Sequence, residues 1–279
     1  MKVKELGEFG LIGILAKIAD KEKANTGLIV GIGDDAAAWE CRKTIQLGTT
    51  DILVDGVHFN RHLISWRDVG WKAMAINASD IAAMGGEPLN ALVSLAIPPE
   101  TEVEDIVDLY TGMAEFCAEF GMAIAGGNMA TSPVVIINPT ITGHIEKAHL
   151  MLRSSARVGD VIAVTGKLGA SAAGLRVLKE SPELEPTLSA SLTQAHCRPW
   201  PRVVEGQLLS RCGIRCAIDI SDGLAADLQH ICEASGVGAE LRLEDVPVHP
   251  AAQTAFPEEA VQLALTGGED FELLFTAPE

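Results

Sequence analysis

Residues 216–231, CAIDISDGLAADLQHI, run from an apolar strand over 216–220 into the turn Ser221-Asp222-Gly223 and on into a helix. Leu224, Leu228 and Ile231 recur at helical spacing, so that helix has one apolar face to bury. An apolar strand that ends in an acid-bearing turn and reverses into a covering helix is the building unit of a sheet with helices packed on it.

Working outward, the same ending recurs. A strand over 27–32 enters Gly33-Asp34-Asp35, a strand over 44–50 runs into Asp51, and a short strand over 122–125 enters Gly126-Gly127-Asn128. Gly267-Gly268-Glu269-Asp270 stands just before a last strand over 271–276. Between these lie a small-residue helix over 68–84, stopped by Gly85-Gly86, and an apolar strand over 91–97. Thr101 and Glu104 read as a capping box for a helix that Gly121 ends, and a long strand over 134–145 follows. The pattern then starts afresh: a strand over 161–165, a helix opened by 166–169, a Pro- and Ser-bearing connection over 180–200, a helix over 201–211 and a strand over 239–243. The reading is α+β in two domains, 1–148 and 149–279, each a mixed or antiparallel sheet covered by helices.

The chain of 279 residues carries 21 Lys and Arg against 38 Asp and Glu, a net charge of −17. So acidic a chain lacks the basic surface that displaces counterions from nucleic acid, which excludes that class of partner. No apolar run reaches membrane length and the N-terminal segment has no cleavage-type region, so neither a membrane span nor a signal peptide is expected. The six cysteines form no C-x-x-C pair; free thiols and a cytoplasmic location are the expectation.

Asp, Asn and Gly are common in turns for backbone reasons alone. Five such strand ends in one acidic chain point further, to side chains converging on one edge. Asp80 adds to this, because it sits among small apolar residues on a helix face shared with Asn77. A packed carboxylate needs a compensating charge, and the sequence places no Lys or Arg beside it. Clustered carboxylate and hydroxyl oxygens without a His or Cys set favour hard divalent cations such as magnesium. Several such ions suit a triphosphate, whose transfer needs positioning and charge neutralisation. G-x-x-x-x-G-K-[ST], the protein-kinase motifs and G-x-S-x-G are all absent. Phosphate is therefore expected on the glycine turns and on the helix N-termini after Ser221 and Gly169.

Taken in order, GIGDDAA (31–37), TTDILVDGVHF (49–59), WKAMAINASDIAAMGGEP (71–88), AGGN (125–128), LRSSARVGDVIAVTGKLGASAAG (152–174), AIDISDGLAADLQHICEASG (217–236) and LTGGEDFELLF (265–275) resemble the thiamine-monophosphate kinase family. The resemblance implies an aminoimidazole ribonucleotide synthetase-like fold, a homodimer joined through N-terminal sheets, and transfer of the ATP γ-phosphate to thiamine monophosphate with several Mg2+ ions. It implies Asp35, Thr49, Thr50, Asp51, Asp80, Asn128, Asp219 and Asp222 as metal ligands. Tyr110, Gly127, Asn128, Arg153 and Ser221 would touch ATP, and His58 and Glu269 the thiamine phosphate. Asn128 stands where many relatives have Asp, so one metal position has an amide oxygen without charge. Family members usually run some tens of residues further, to an aromatic that packs on thiamine. Two other readings stand beside this one: another ATP-using member of the superfamily, and a catalytically silent nucleotide-binding relative.

Overall fold

The structure is a computed structural model and describes residues 28–30, 34–41 and 44–278. The expected strand over 27–32 is seen as β1 (Leu28–Val30), its remainder and Gly33 lying outside the described residues. The first sheet continues with β2 (Ala37–Cys41), β3 (Thr44–Thr50), β4 (Leu53–Val54), β5 (Glu87–Ile97), β6 (Ala123–Thr131) and β7 (Ile136–Ile145). Its order is β1-β2-β3-β7-β5-β6, with β4 also on β7; β5 and β6 are parallel and the other pairs antiparallel.

Helices α1 (Trp66–Ala83) and α2 (Val103–Phe120) belong to this half. α1 is small and apolar on nearly every face, as a helix buried on all sides must be. It lies close on α2: a Cβ at Gly112 would stand 1.8 Å from the Arg67 carbonyl oxygen, so only glycine permits this approach. Trp71, Phe116, Phe120 and Trp200 cluster beside it. Trp71 meets Phe116 edge-on at 5.1 Å, Phe116 stacks on Phe120 at 4.4 Å, and the Trp71 indole donates to the Pro199 carbonyl.

The second half holds β8 (Val161–Val164), β9 (Cys216–Asp219) and β10 (Leu273–Ala277) in the antiparallel order β8-β10-β9. Around them stand α3 (Ala170–Glu180), α4 (Pro186–Cys197), α5 (Val203–Arg211), α6 (Leu224–Ser235), α7 (Pro250–Ala255) and α8 (Ala260–Thr266). α1 also packs on α5 and β9, so one buried helix serves both halves.

Four local expectations need correction. Residues 180–200 are not a connection: Pro186 takes the first turn of α4, where its missing N–H costs nothing, and the Glu185 carboxylate caps the amides of Thr187 and Leu188. Residues 239–243 form no strand; their alternation finds no neighbouring edge, and Leu241 alone turns inward onto the second core. The capping box is absent, since Glu102 is the N-cap of α2 without a side-chain bond, and Thr101 Oγ1 is buried and unbonded. Gly126-Gly127-Asn128 is no turn, because β5 pairs with β6 straight through it, Val93 opposite Gly127 and Ser94 opposite Asn128.

Candidate active site

Three carboxylates from three distant segments meet at the centre. Asp35 comes from the turn before β2, Asp80 from the last turns of α1, and Asp219 from the end of β9; their oxygens lie within 4.8 Å of one another. Asp35 and Asp219 are buried, and Asp80 is half-buried. Thr49, on β3, donates its hydroxyl to Asp80 Oδ2 at 2.6 Å. The next strand end brings Asp51 close, its amide bonded to the buried Asn77 side chain at 2.9 Å. That contact explains why Asn77 shares the helix face of Asp80: it fixes the backbone that carries Asp51.

Such crowding is costly. Burial, and then the charge of Asp219 followed by those of Asp51 and Asp35, holds the Asp80 carboxyl well above the usual carboxylate range. Burial first and then Asp35 do the same to Asp219. Asp34 is pushed up to about 7, by burial and then by Asp35. Burial raises Asp51 also, with the His58 charge opposing.

Among the described residues, Arg153 is the cation bonded to the cluster. Arg153 forks onto Asp35, Nε to Oδ2 at 3.0 Å and Nη2 to Oδ1 at 2.7 Å, while its amide bonds Asp34. Burial alone would weaken its hold on the proton, and the Asp35 bonds and charge reverse that. One guanidinium against this many carboxylates leaves excess negative charge, and hard oxygen donors are the ligands that magnesium takes. The donor set therefore fits divalent cations.

A second acidic group follows β9, and its Asp227 adds to the charge felt by Asp219. Asp222 is exposed and gathers with Asp227 and His230 rather than with Asp35, Asp80 and Asp219. Ser221 lies beside it, half-buried, in the same turn. Asp227, which sequence reasoning missed, accepts the amides of Ser221, Asp222 and Gly223 through one oxygen, each at 3.1 Å. Asp270 serves α3, taking the Gly169 amide on Oδ2 and the Ser171 amide on Oδ1. Carboxylates of the chain thus occupy amides leading into both helices, and a phosphate there would meet the remaining first-turn N–H groups. An acid in the first turn, as Asp227 is, was the available signal.

The loop before β10 is strapped to this turn. Glu269 donates its amide to the Ser221 carbonyl and Phe271 to the Ile220 carbonyl. A Cβ at Gly268 would lie 2.2 Å from Ser221 O. Glu269 and Phe271, neither of them glycine, hold left-handed backbone at φ 65° and 50°. The Glu269 carboxylate meets Lys72 of α1, a buried cation that the sequence reading passed over.

The remaining expected residues lie outside the carboxylate cluster. Thr50 is exposed at the end of β3 and donates to the Pro139 carbonyl. His58 is exposed and accepts the Val54 amide, and Tyr110 packs half-buried on the first core. Gly127 and Asn128 lie exposed on β6.

His196, on α4, lies against Lys72, Glu269 and Ser171, with Lys179 adding positive charge. Burial, then Lys72, pushes it down to about 4. The unfolded chain takes up this proton near the ordinary 6.5 and the folded one does not, so stability from this group is complete above 6.5 and falls with pH toward 4. The wild-type chain should lose about 3 kcal/mol more than His196→Gln across that interval, read by denaturant unfolding at successive pH values.

Comparison with known proteins decides the kinship. Residues 33–145 match the family described as AIR synthase related protein, N-terminal domain, and 157–279 its C-terminal domain. Thiamine-monophosphate kinase of Aquifex aeolicus is 38% identical over 284 residues, covering 100% of this chain and 88% of that protein. The chain belongs to the thiamine-monophosphate kinase family. The Bacillus subtilis member of this kinase family is 39% identical over 97% of the chain and 83% of its own length. The solved structure of AaThiL complexed with AMPPCP and TMP superposes with a TM-score of 0.91 at 37% identity, covering 100% of this chain and 87% of the other. The two-sheet α+β architecture is thus that of the kinase family. A HypE-HypF complex matches at a TM-score of 0.74 and 19% identity, a likeness of fold alone.

Proposed function

We propose that this chain transfers the γ-phosphoryl group of ATP directly to thiamine monophosphate, giving thiamine diphosphate and ADP. The observation that carries the reading is the meeting of Asp35, Asp80 and Asp219 in one cluster, in a chain matched over its whole length by a kinase solved with AMPPCP and TMP. Magnesium held by Asp35, Asp51, Asp80 and Asp219, with Thr49, Thr50, Asn128 and Asp222 completing the sets, would neutralise the triphosphate oxygens. Arg153 is a planar fork suited to phosphate, and its grip on Asp35 is the one it would share or exchange when the nucleotide arrives. Tyr110, Gly127 and Ser221 complete the ATP contacts in this reading, and His58 and Glu269 hold the acceptor. Direct transfer needs no covalent intermediate on the chain, and no nucleophile with an adjacent base is required.

A homodimer belongs to the same reading. One face of the first sheet is covered by α1 and α2, while the other presents Leu92 at 51% exposure. Apolar side chains on an open sheet face suit a second copy of the same sheet. Among the described residues no helix is long and apolar enough to cross a membrane.

The decisive experiment is phosphorus NMR of ATP, Mg2+ and thiamine monophosphate with the chain. Thiamine diphosphate and ADP should accumulate together, and ATP should persist when the acceptor is omitted. Accumulation of ADP without acceptor, or no turnover with it, would overturn the proposal. Asn128→Asp adds a charged ligand at the edge strand, so half-saturation by Mg2+ should fall about threefold to tenfold. An unchanged magnesium titration would remove Asn128 from the ligand set.

A further inference from the structure

Lys72 is 1% exposed and among the largest fully buried side chains of the protein. Its ammonium reaches Glu269 Oε2 at 2.9 Å and His196 Nε2 at 3.3 Å. An ammonium can only donate, so His196 accepts at Nε2 and carries its proton at Nδ1, which faces Ser171 Oγ at 3.1 Å. His196 is neutral at physiological pH, which leaves Glu269 as the one carboxylate bonded to this ammonium among the described residues. The pair is lopsided. The cation is sealed in the core, while the Glu269 side chain is 34% exposed.

That asymmetry has a direction. A buried ammonium is costly to desolvate and adds little net stability even when paired. Here it grips one oxygen of a partly exposed carboxylate whose backbone is held at φ 65°, a conformation that persists only where surrounding contacts over-determine it. The described contacts fall on Oε2, which leaves Oε1 for an incoming group. Lys72 and Asp80 also share α1, eight residues and so about 12 Å of rise apart. One rigid helix therefore spaces the carboxylate cluster from the Glu269 carboxylate.

We propose that Lys72 is a positioning residue for the acceptor: it fixes Glu269 relative to the carboxylate cluster and acts on thiamine monophosphate only through Glu269. The proposal rests on the functional reading above. Thiamine carries a cationic thiazolium and an aminopyrimidine donor, and a fixed carboxylate oxygen complements both. The ammonium itself is too buried to meet the acceptor.

The test is a double-mutant cycle on the two Michaelis constants. Lys72→Met should raise KM for thiamine monophosphate at least about tenfold and leave KM for ATP within about twofold. Lys72→Met/Glu269→Gln should match Glu269→Gln alone, because the lysine has no route to the acceptor once the carboxylate is gone. The double variant also removes both charges together, so it carries the test if the single lysine variant fails to fold. An acceptor KM in Lys72→Met within about twofold of wild type overturns the proposal, and so does a further rise of about tenfold in the double variant over Glu269→Gln. Equal losses in both Michaelis constants would mark a structural role and overturn it too. Wild-type turnover of thiamine monophosphate is the control; its absence overturns the functional reading and this proposal together, whereas normal wild-type turnover confines any failure to Lys72.

Discussion

Asp80→Asn should lose phosphoryl transfer by about a thousandfold or more, while the metal-free protein becomes more stable than wild type. The substitution keeps the side-chain volume and an acceptor for the Thr49 hydroxyl, so neither the core nor β3 has reason to move. What it removes is one charge from the carboxylates of Asp35, Asp80 and Asp219, which crowd within 4.8 Å of one another. Because burial and these neighbours raise the Asp80 carboxyl in the folded state, the folded protein holds this proton more tightly than the unfolded chain. Metal-free stability from this group is therefore greatest at low pH and declines as pH rises above the unfolded value of about 3.9. Asp80→Asn abolishes that decline. The catalytic loss follows from the same charge, since a neutral amide binds a divalent ion less firmly and leaves triphosphate oxygens less well screened. Thermal unfolding against pH, with and without Mg2+, reads the stability arm, and initial rates read the other. Near-normal turnover, or a metal-free variant less stable than wild type at neutral pH, would refute the arrangement.

Arg153→Met should lower kcat/KM for ATP about a hundredfold and, unlike Asp80→Asn, destabilise the metal-free protein by about 3–5 kcal/mol. The Asp35 side chain is fully buried and Arg153 is its bidentate partner. Without the fork, Asp35 keeps its burial and the repulsion of its neighbours but loses its counter-charge. Mg2+ should restore much of the stability by taking the same carboxylate, and it should restore little of the activity. Arg153→Lys is expected to rescue poorly, because an ammonium cannot make two parallel bonds to one carboxylate. Opposite stability changes at two residues of one cluster separate charge crowding from general damage to the fold. A stable Arg153→Met protein without Mg2+ would show that Asp35 needs no counter-charge.

Much of this site was legible wherever a short stretch carried its own reason. The run into Ser221-Asp222-Gly223 announced a strand, a turn and a helix by periodicity alone, and the structure has β9 and α6 there. Asp80 stood out because small apolar neighbours made its charge expensive. Asp227 was passed over, and Asp270 was noted only as an acid in a glycine-rich turn, although both hold amides at helix starts. Their oxygens point back at amides a few residues or about a hundred residues away, and no local periodicity reports that. Lys72 was missed for the reverse reason: a lysine in a helix ordinarily sends its head to water, and only the packing of α4 and the Glu269 loop around α1 seals it in.

Local backbone chemistry, then, was enough to settle the α+β class, most strands and helices, and which acids were worth watching. It could not decide that Asp35, Asp80 and Asp219 come within 4.8 Å of one another, that Gly126-Gly127-Asn128 continues as strand, or that residues 180–200 hold a helix. Those outcomes depend on which edge, face or counter-charge a distant segment supplies. A turn preference is written in a few neighbouring residues, whereas the energy of a buried charge is set by every group that folding brings within reach.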